Sequence, residues 1–145
     1  MYEFLYYRVR DAMTPNPVTI SPSTPLSEVE ALFERQQFNA LPVVDDTMHL
    51  LAIVTKLDIL KAFSFTPASI VPHYHEIMQR PINEVMTSNP IVVDPEWPLT
   101  RVLERLIQTR NKSFPVVHDG HVVGIIARED VMRALRRADA GQRPD

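Results

Sequence analysis

No cysteine occurs in the 145 residues. Disulfides, thiol nucleophiles and thiolate zinc sites are therefore excluded. Glycine is almost as scarce, with three residues in all, and no phosphate loop of the P-loop or dinucleotide type can be assembled. Positive charge is not in excess either. Fifteen Lys and Arg stand against eighteen Asp and Glu, a formal net charge of −3. That balance argues against a nucleic-acid partner bound through phosphate neutralisation. The aromatic opening Met1–Tyr7 is far too short for a signal peptide or for the roughly 20 apolar residues of a membrane span. A cytoplasmic protein without membrane insertion is expected.

What the chain does have is a repeat. Met13-Thr14-Pro15-Asn16-Pro17-Val18 returns as Met86-Thr87-Ser88-Asn89-Pro90-Ile91, an offset of 73 positions (86 minus 13). Pro22, Pro25, Leu26 and Val29 recur at Pro95, Pro98, Leu99 and Val102, and Leu41-Pro42-Val43-Val44 at Phe114-Pro115-Val116-Val117. After a one-residue slip, Ala52-Ile53-Val54-Thr55-Lys56-Leu57-Asp58 returns as Gly124-Ile125-Ile126-Ala127-Arg128-Glu129-Asp130. Such a duplication means one supersecondary unit made twice, each copy needing its neighbour to bury an apolar face. Paired clefts at the seam are the expected ligand sites.

Periodicity changes in the same order within each copy. Val18-Thr19-Ile20 and Ile91-Val92-Val93 read as brief strands. Pro25 and Pro98 then suit a first helical position. Leu26, Val29, Leu32 and Phe33 share one helical face, as do Leu99, Val102, Leu103, Leu106 and Ile107. Val43-Val44 and Leu50 through Val54 read as two buried strands joined around Asp45-Asp46-Thr47. In the second copy Asp119-Gly120 gives a two-residue hairpin signal between Val116-Val117 and Val122-Val123. A second helix is marked by Leu57, Leu60 and Phe63, and in the second copy by Val131, Met132 and Leu135. The fold class is α/β (α+β), with β-α-β-β-α occurring twice. One module over 1–145 is expected, with repeats at 9–63 and 82–137. Between them, residues 64–81 form a linker holding Pro67, Pro72 and Pro81, without clear period and suited to wrapping the surface or joining a dimer contact. The opening Met1–Tyr7 is expected to dock as an extra strand or helix.

These strings together resemble the cystathionine-β-synthase (CBS) domain family. The M-T-x-N-P opening, the apolar-Pro-Val-Val strand and the T-x-x-D strand-to-helix junction carry the resemblance. It is that of a free-standing CBS pair, or Bateman module. The resemblance implies a pseudo-twofold pair of β-α-β-β-α units, a homodimer, and a regulatory role toward an unknown partner protein. It also implies an adenosine-containing ligand (AMP, ADP, ATP or S-adenosylmethionine) in clefts between the repeats. Val18, Thr19, Ile20, Leu41 and Pro42 would hold the adenine, Asp58 the ribose hydroxyls, and Thr55 and Lys56 the phosphates. The second set is Ile91, Val92, Phe114, Pro115, Arg128 and Asp130. The alternative is a structural dimerisation or adaptor protein with vestigial clefts.

Thr55-x-x-Asp58 is also a capping box, whose side chains satisfy the orphan amides of their own helix. Ala127 replaces the threonine in the second copy, which excludes a full box there. Asp130 kept without that partner favours a ligand role, although an acidic first turn also suits the helix dipole. Missing the hydroxyl, the second site is the weaker phosphate binder. Ala52, where the second copy has Gly124, crowds the backbone at the first site. Nothing suggests an enzyme, because no nucleophile-base pair or metal-ligand set can be assembled. His73 and His75 read as solvated linker residues rather than metal ligands, and His118 and His121 flank a turn. Trp97 is expected to pack on the linker or on a partner. Arg133, Arg136 and Arg137 form a basic edge, and Met13 and Met86 plug the core.

Overall fold

The computed structural model describes residues 1–64 and 73–145. Pro67 and Pro72 lie outside the described residues. The chain forms two compact units, one made of Val18–Asn89 and the other of Met1–Pro17 with Pro90–Asp145. Each unit therefore contains most of one sequence repeat and the opening strand of the other.

In the unit Val18–Asn89, helix α2 (Leu26–Arg35) buries Leu26, Val29 and Phe33. Pro25 sits one position before the helix, with extended backbone, so it caps the helix rather than opening it. Strands β2 (Leu41–Val44) and β3 (Leu50–Val54) pair antiparallel, and β3 also pairs with β4 (Thr87–Ser88). Helix α3 (Lys56–Lys61) follows β3 directly. The segment Val18–Ile20 is less than the strand expected. It touches the sheet through one parallel bridge, Ile20 to Val43, because the prolines on either side remove the donors that would extend a ladder. The linker's second half holds helix α4 (Tyr74–Met78), a turn of helix too short to show a period in sequence. Its Ile77 and Met78 join the core around Leu41, Val43 and Val54. The Leu26 N–H donates to the Arg80 carbonyl (3.0 Å) and the Ile82 N–H to the Thr24 carbonyl (2.8 Å), so this part of the linker is built into the unit.

The other unit repeats the plan. Helix α5 (Leu99–Thr109) packs against α6 (Arg128–Asp139). Strand β6 (His121–Ala127) pairs antiparallel with β5 (Ser113–His118) and with β1 (Thr14–Pro15). The expected hairpin forms, with positive φ at both Asp119 (51°) and Gly120 (81°). Val93 makes the single bridge to Val116. The N-terminal segment is a 3-10 helix, Tyr2–Tyr6, followed by the short helix α1 (Val9–Ala12). It delivers Phe4, Tyr7 and Val9 into the core beside Phe114, Leu99 and Val131. Trp97 packs on this core too, its carbonyl accepting the Val9 N–H (2.9 Å) and its ring carrying the Arg101 guanidinium at 3.6 Å.

Several residues expected in apolar helix faces are on the surface. Leu57 and Leu60 are 61% and 65% exposed, and Ile107 and Met132 are 69% and 57% exposed. In α3 the buried residues are instead Asp58 and Ile59. The helix has only six residues, and in its first turn it is the Asp58 carboxylate that is turned inward.

Candidate functional site

Strand register assembles each candidate set within its own unit. Ile20 bridges Val43 in parallel, so two residues earlier Val18 comes level with Leu41. Leu41 pairs with Val54, and Thr55 follows at the start of α3. Val18, Thr19, Leu41, Pro42, Thr55, Lys56 and Asp58 therefore gather at one end of a sheet. The backbone there is partly spoken for: the Ile20 N–H donates to the Pro42 carbonyl (3.0 Å) and the Val44 N–H to the Ile20 carbonyl (2.9 Å). Ile20, Leu41 and Pro42 are buried, whereas Val18 and Lys56 face solvent and Thr19 and Thr55 are half-buried.

Asp58 is 2% exposed and accepts hydrogen bonds from several sides. Its Oδ2 takes the Thr55 N–H (2.9 Å) and the Thr55 hydroxyl (3.2 Å). In return the Asp58 N–H donates to Thr55 Oγ1 (3.3 Å), completing the capping box. The Thr87 hydroxyl reaches Oδ1 (3.1 Å) and Oδ2 (3.3 Å), and Lys61 Nζ lies 3.5 Å from Oδ1. Burying a carboxylate demands such a set, since an unpaired charge out of water is costly. Thr87 was not among the expected site residues. The signal was its place in the repeated M-T-x-N-P string; β4 carries it alongside β3, so its hydroxyl reaches a carboxylate 29 positions earlier.

The second set is gathered in the same way. Ile91 comes level with Phe114, which pairs with Ile126, and Ala127 and Arg128 follow. Ile91 and Val92 are exposed, while Phe114 and Pro115 are buried. Asp130, 7% exposed, accepts the Ala127 N–H at 2.8 Å and Arg133 Nη1 at 3.1 Å. Half of the capping box thus survives without the threonine, because the donor is backbone. Asp130 thus has a structural role in the first turn of its own helix. Arg128 is turned toward the end of α5, where Nη2 donates to the Arg110 carbonyl (2.7 Å) and Nε to the Asn111 carbonyl (3.1 Å). Those groups are the orphan acceptors of a helix C-terminus.

Among the described residues no group of His, Asp and Glu could hold a metal ion, and no helix is long and apolar enough to cross a membrane. His73 and His75 are exposed, as expected, with Tyr74 stacked on Phe63 (5.8 Å) and meeting His75 edge-on.

Two β-α-β-β-α repeats, each delivering a buried aspartate to the first turn of a helix after its last strand, define a tandem-repeat module. The chain belongs to the CBS domain family, whose profile matches residues 9–64 and 82–137. It is 29% identical over 150 residues to the CBS domain-containing protein CBSX2, chloroplastic, of Arabidopsis thaliana, covering 88% of this chain. The chain spans 63% of that relative's length, and 22% and 42% of two archaeal relatives. The crystal structure of CBSX2 in complex with AMP superposes with a TM-score of 0.78 at 28% identity, covering 92% of this chain and 98% of that one. The CBS domain pair of protein MJ0100, in complex with 5-methylthioadenosine and S-adenosyl-L-methionine, gives 0.73 at 28% identity, with coverage of 92% and 98%.

Proposed function

We propose that this chain is a regulatory module that binds an adenosine-containing ligand and through it modulates a partner protein, rather than catalysing a reaction. The observation that carries this reading is family membership joined to AMP bound by a relative that covers 92% of the chain. A second relative that binds S-adenosyl-L-methionine and 5-methylthioadenosine supports the wider adenosyl class. In this reading residues 9–63 and 82–137 are the two repeats of one cytoplasmic, homodimeric module. Val18–Ile20 and Leu41–Pro42 hold the adenine, Asp58 the ribose, and Thr55 and Lys56 the phosphates of AMP, ADP or ATP. In the second set Ile91, Val92, Phe114 and Pro115 hold the adenine and Asp130 the ribose, and Arg128 must leave the Arg110 and Asn111 carbonyls to meet a phosphate.

For a ribose to reach Asp58, its hydroxyls must replace the Thr87 or Lys61 donors now on the carboxylate. Displacing Thr87 is close to isoenergetic, one hydroxyl donor for another. Isothermal calorimetry with AMP, ATP and S-adenosylmethionine tests the reading. Binding is expected. Lys56→Ala should weaken ATP by about 0.5–1 kcal/mol, the scale of an exposed charge pair, and leave S-adenosylmethionine, which has no phosphate, unchanged.

One observation favours the adaptor alternative: Asp58 already has donors from Thr55, Thr87 and Lys61. A carboxylate so engaged can be wholly structural. No heat from any of the three ligands at millimolar concentration would favour that reading.

A further inference from the structure

The two buried aspartates hold the same position in each repeat, yet they are engaged to different degrees. An ionised carboxylate offers about four lone-pair positions to donors. Four donor groups fill those of Asp58: the Thr55 N–H (2.9 Å), the Thr55 hydroxyl (3.2 Å), the Thr87 hydroxyl (3.1 Å) and Lys61 Nζ (3.5 Å). Among the described residues Asp130 has two donors, the Ala127 N–H (2.8 Å) and Arg133 Nη1 (3.1 Å). About half of its accepting capacity is unfilled, on a residue only 7% exposed.

Two hydroxyls account for the difference. One is missing outright, because Ala127 stands where the first repeat has Thr55. The other belongs to Thr87, whose counterpart at the offset of 73 is Thr14 (87 minus 73). Thr14 pairs with Ile125 on β6 just as Thr87 pairs with Ile53 on β3. Even so, among the described residues Thr14 makes no hydrogen bond to Asp130. A ribose brings two neighbouring hydroxyls. At Asp130 both find an acceptor position without displacing a partner. At Asp58 at least one must take the place of the Thr87 hydroxyl, and one hydroxyl for another gains little. Thr87 is itself exposed, so its hydroxyl can give way without opening the core.

We infer that Thr87 is a specificity-determining residue, an internal competitor for the ribose at Asp58, and that the second set is in consequence the tighter of the two for a nucleoside. The inference rests on the ribose placement in the functional reading above, and adds an order of filling and the residue that sets it. Phosphates act in the opposite direction, since Lys56 is exposed at the first set while Arg128 is held by the Arg110 and Asn111 carbonyls. Adenosine, which has no phosphate, isolates the effect of the ribose.

Isothermal calorimetry of the full chain with adenosine is the test. Two binding steps are expected, the tighter lost in Asp130→Asn and kept in Asp58→Asn. Thr87→Val should tighten the weaker step about tenfold, the scale of one hydrogen bond to a charged group. Thr87→Ser, which keeps the hydroxyl, and Thr14→Val should leave both steps in place. With 2′,3′-dideoxyadenosine, which lacks both hydroxyls, Thr87→Val and the wild type should bind alike. Circular dichroism melts check that each variant folds, and general damage to the fold would weaken binding rather than tighten it. A weaker step unmoved or weakened in a folded Thr87→Val variant would overturn the competition. Loss of the tighter step in Asp58→Asn would overturn the order of filling. No heat from adenosine, AMP or ATP would overturn the ribose placement together with the inference built on it.

Discussion

At the scale of single residues, the repeated M-T-x-N-P string is first a statement about backbone. Asn16 and Asn89 hold φ of 49° and 53°, the left-handed region that asparagine tolerates better than most residues. The threonine before each lies in the short strands β1 and β4. Asn16→Ala and Asn89→Ala should each destabilise the fold by about 1 kcal/mol in denaturant titrations, with glycine at either position recovering the loss. Thr87→Val should cost more than a surface change, about 1–3 kcal/mol, because it removes a donor from a buried carboxylate while keeping the shape. Asp45 is exposed, and its pKa is lowered by the His49 N–H, then by the Thr47 hydroxyl and N–H. A depressed carboxylate stabilises fully above its unfolded pKa of about 4 and loses that contribution as pH falls through the lower folded value. Asp45→Asn should therefore flatten the acid limb of a stability-pH curve and leave the neutral region's slope unchanged.

At the scale of elements, the sheets depend on strands borrowed from the other repeat. Gly124, on β6, lies under the β1 pairing, where an added Cβ would come 2.6 Å from Met13 Sδ and 3.0 Å from the Thr14 carbonyl. The sulfur can swing away, but the carbonyl belongs to the strand. Gly124→Ala should cost about 1–3 kcal/mol by overpacking, and Met13→Ala should relieve part of it, as a double-mutant cycle by thermal melts would show. The elements themselves were largely legible: hydrophobic spacing located α2 and α5, and the Asp119-Gly120 turn located the β5–β6 hairpin. Other features were not. Helix α4 has five residues, less than two turns, and shows no period. Leu57, Leu60, Ile107 and Met132 obey the apolar spacing yet face solvent, because spacing reports a face and not what lies against it. Asp58 was read as a ligand contact or a cap on the same four letters, and only the position of β4 brought in Thr87.

At the scale of the whole molecule, the proposed adenosine ligand is received by residues that also build the fold. Ligand that binds the native state alone must raise its stability, by about 2.7 kcal/mol at a hundredfold excess over Kd. The candidate sites were legible as far as register could take them, since matching strings in both repeats fall at matching sheet ends. The engagement of Asp58 by Thr87 and of Arg128 by the Arg110 and Asn111 carbonyls was beyond sequence, because these partners lie far apart in the chain, whereas the partners of Asp130 are local. The most direct measurement is a crystal structure of the chain grown with ATP. Adenine is expected against Val18–Ile20 and Leu41–Pro42, ribose oxygens within hydrogen-bond distance of the Asp58 carboxylate, and phosphates beside Thr55 and Lys56. A nucleotide bound away from these residues, or crystals empty at saturating ATP with Asp58 still held by Thr87, would contradict that placement.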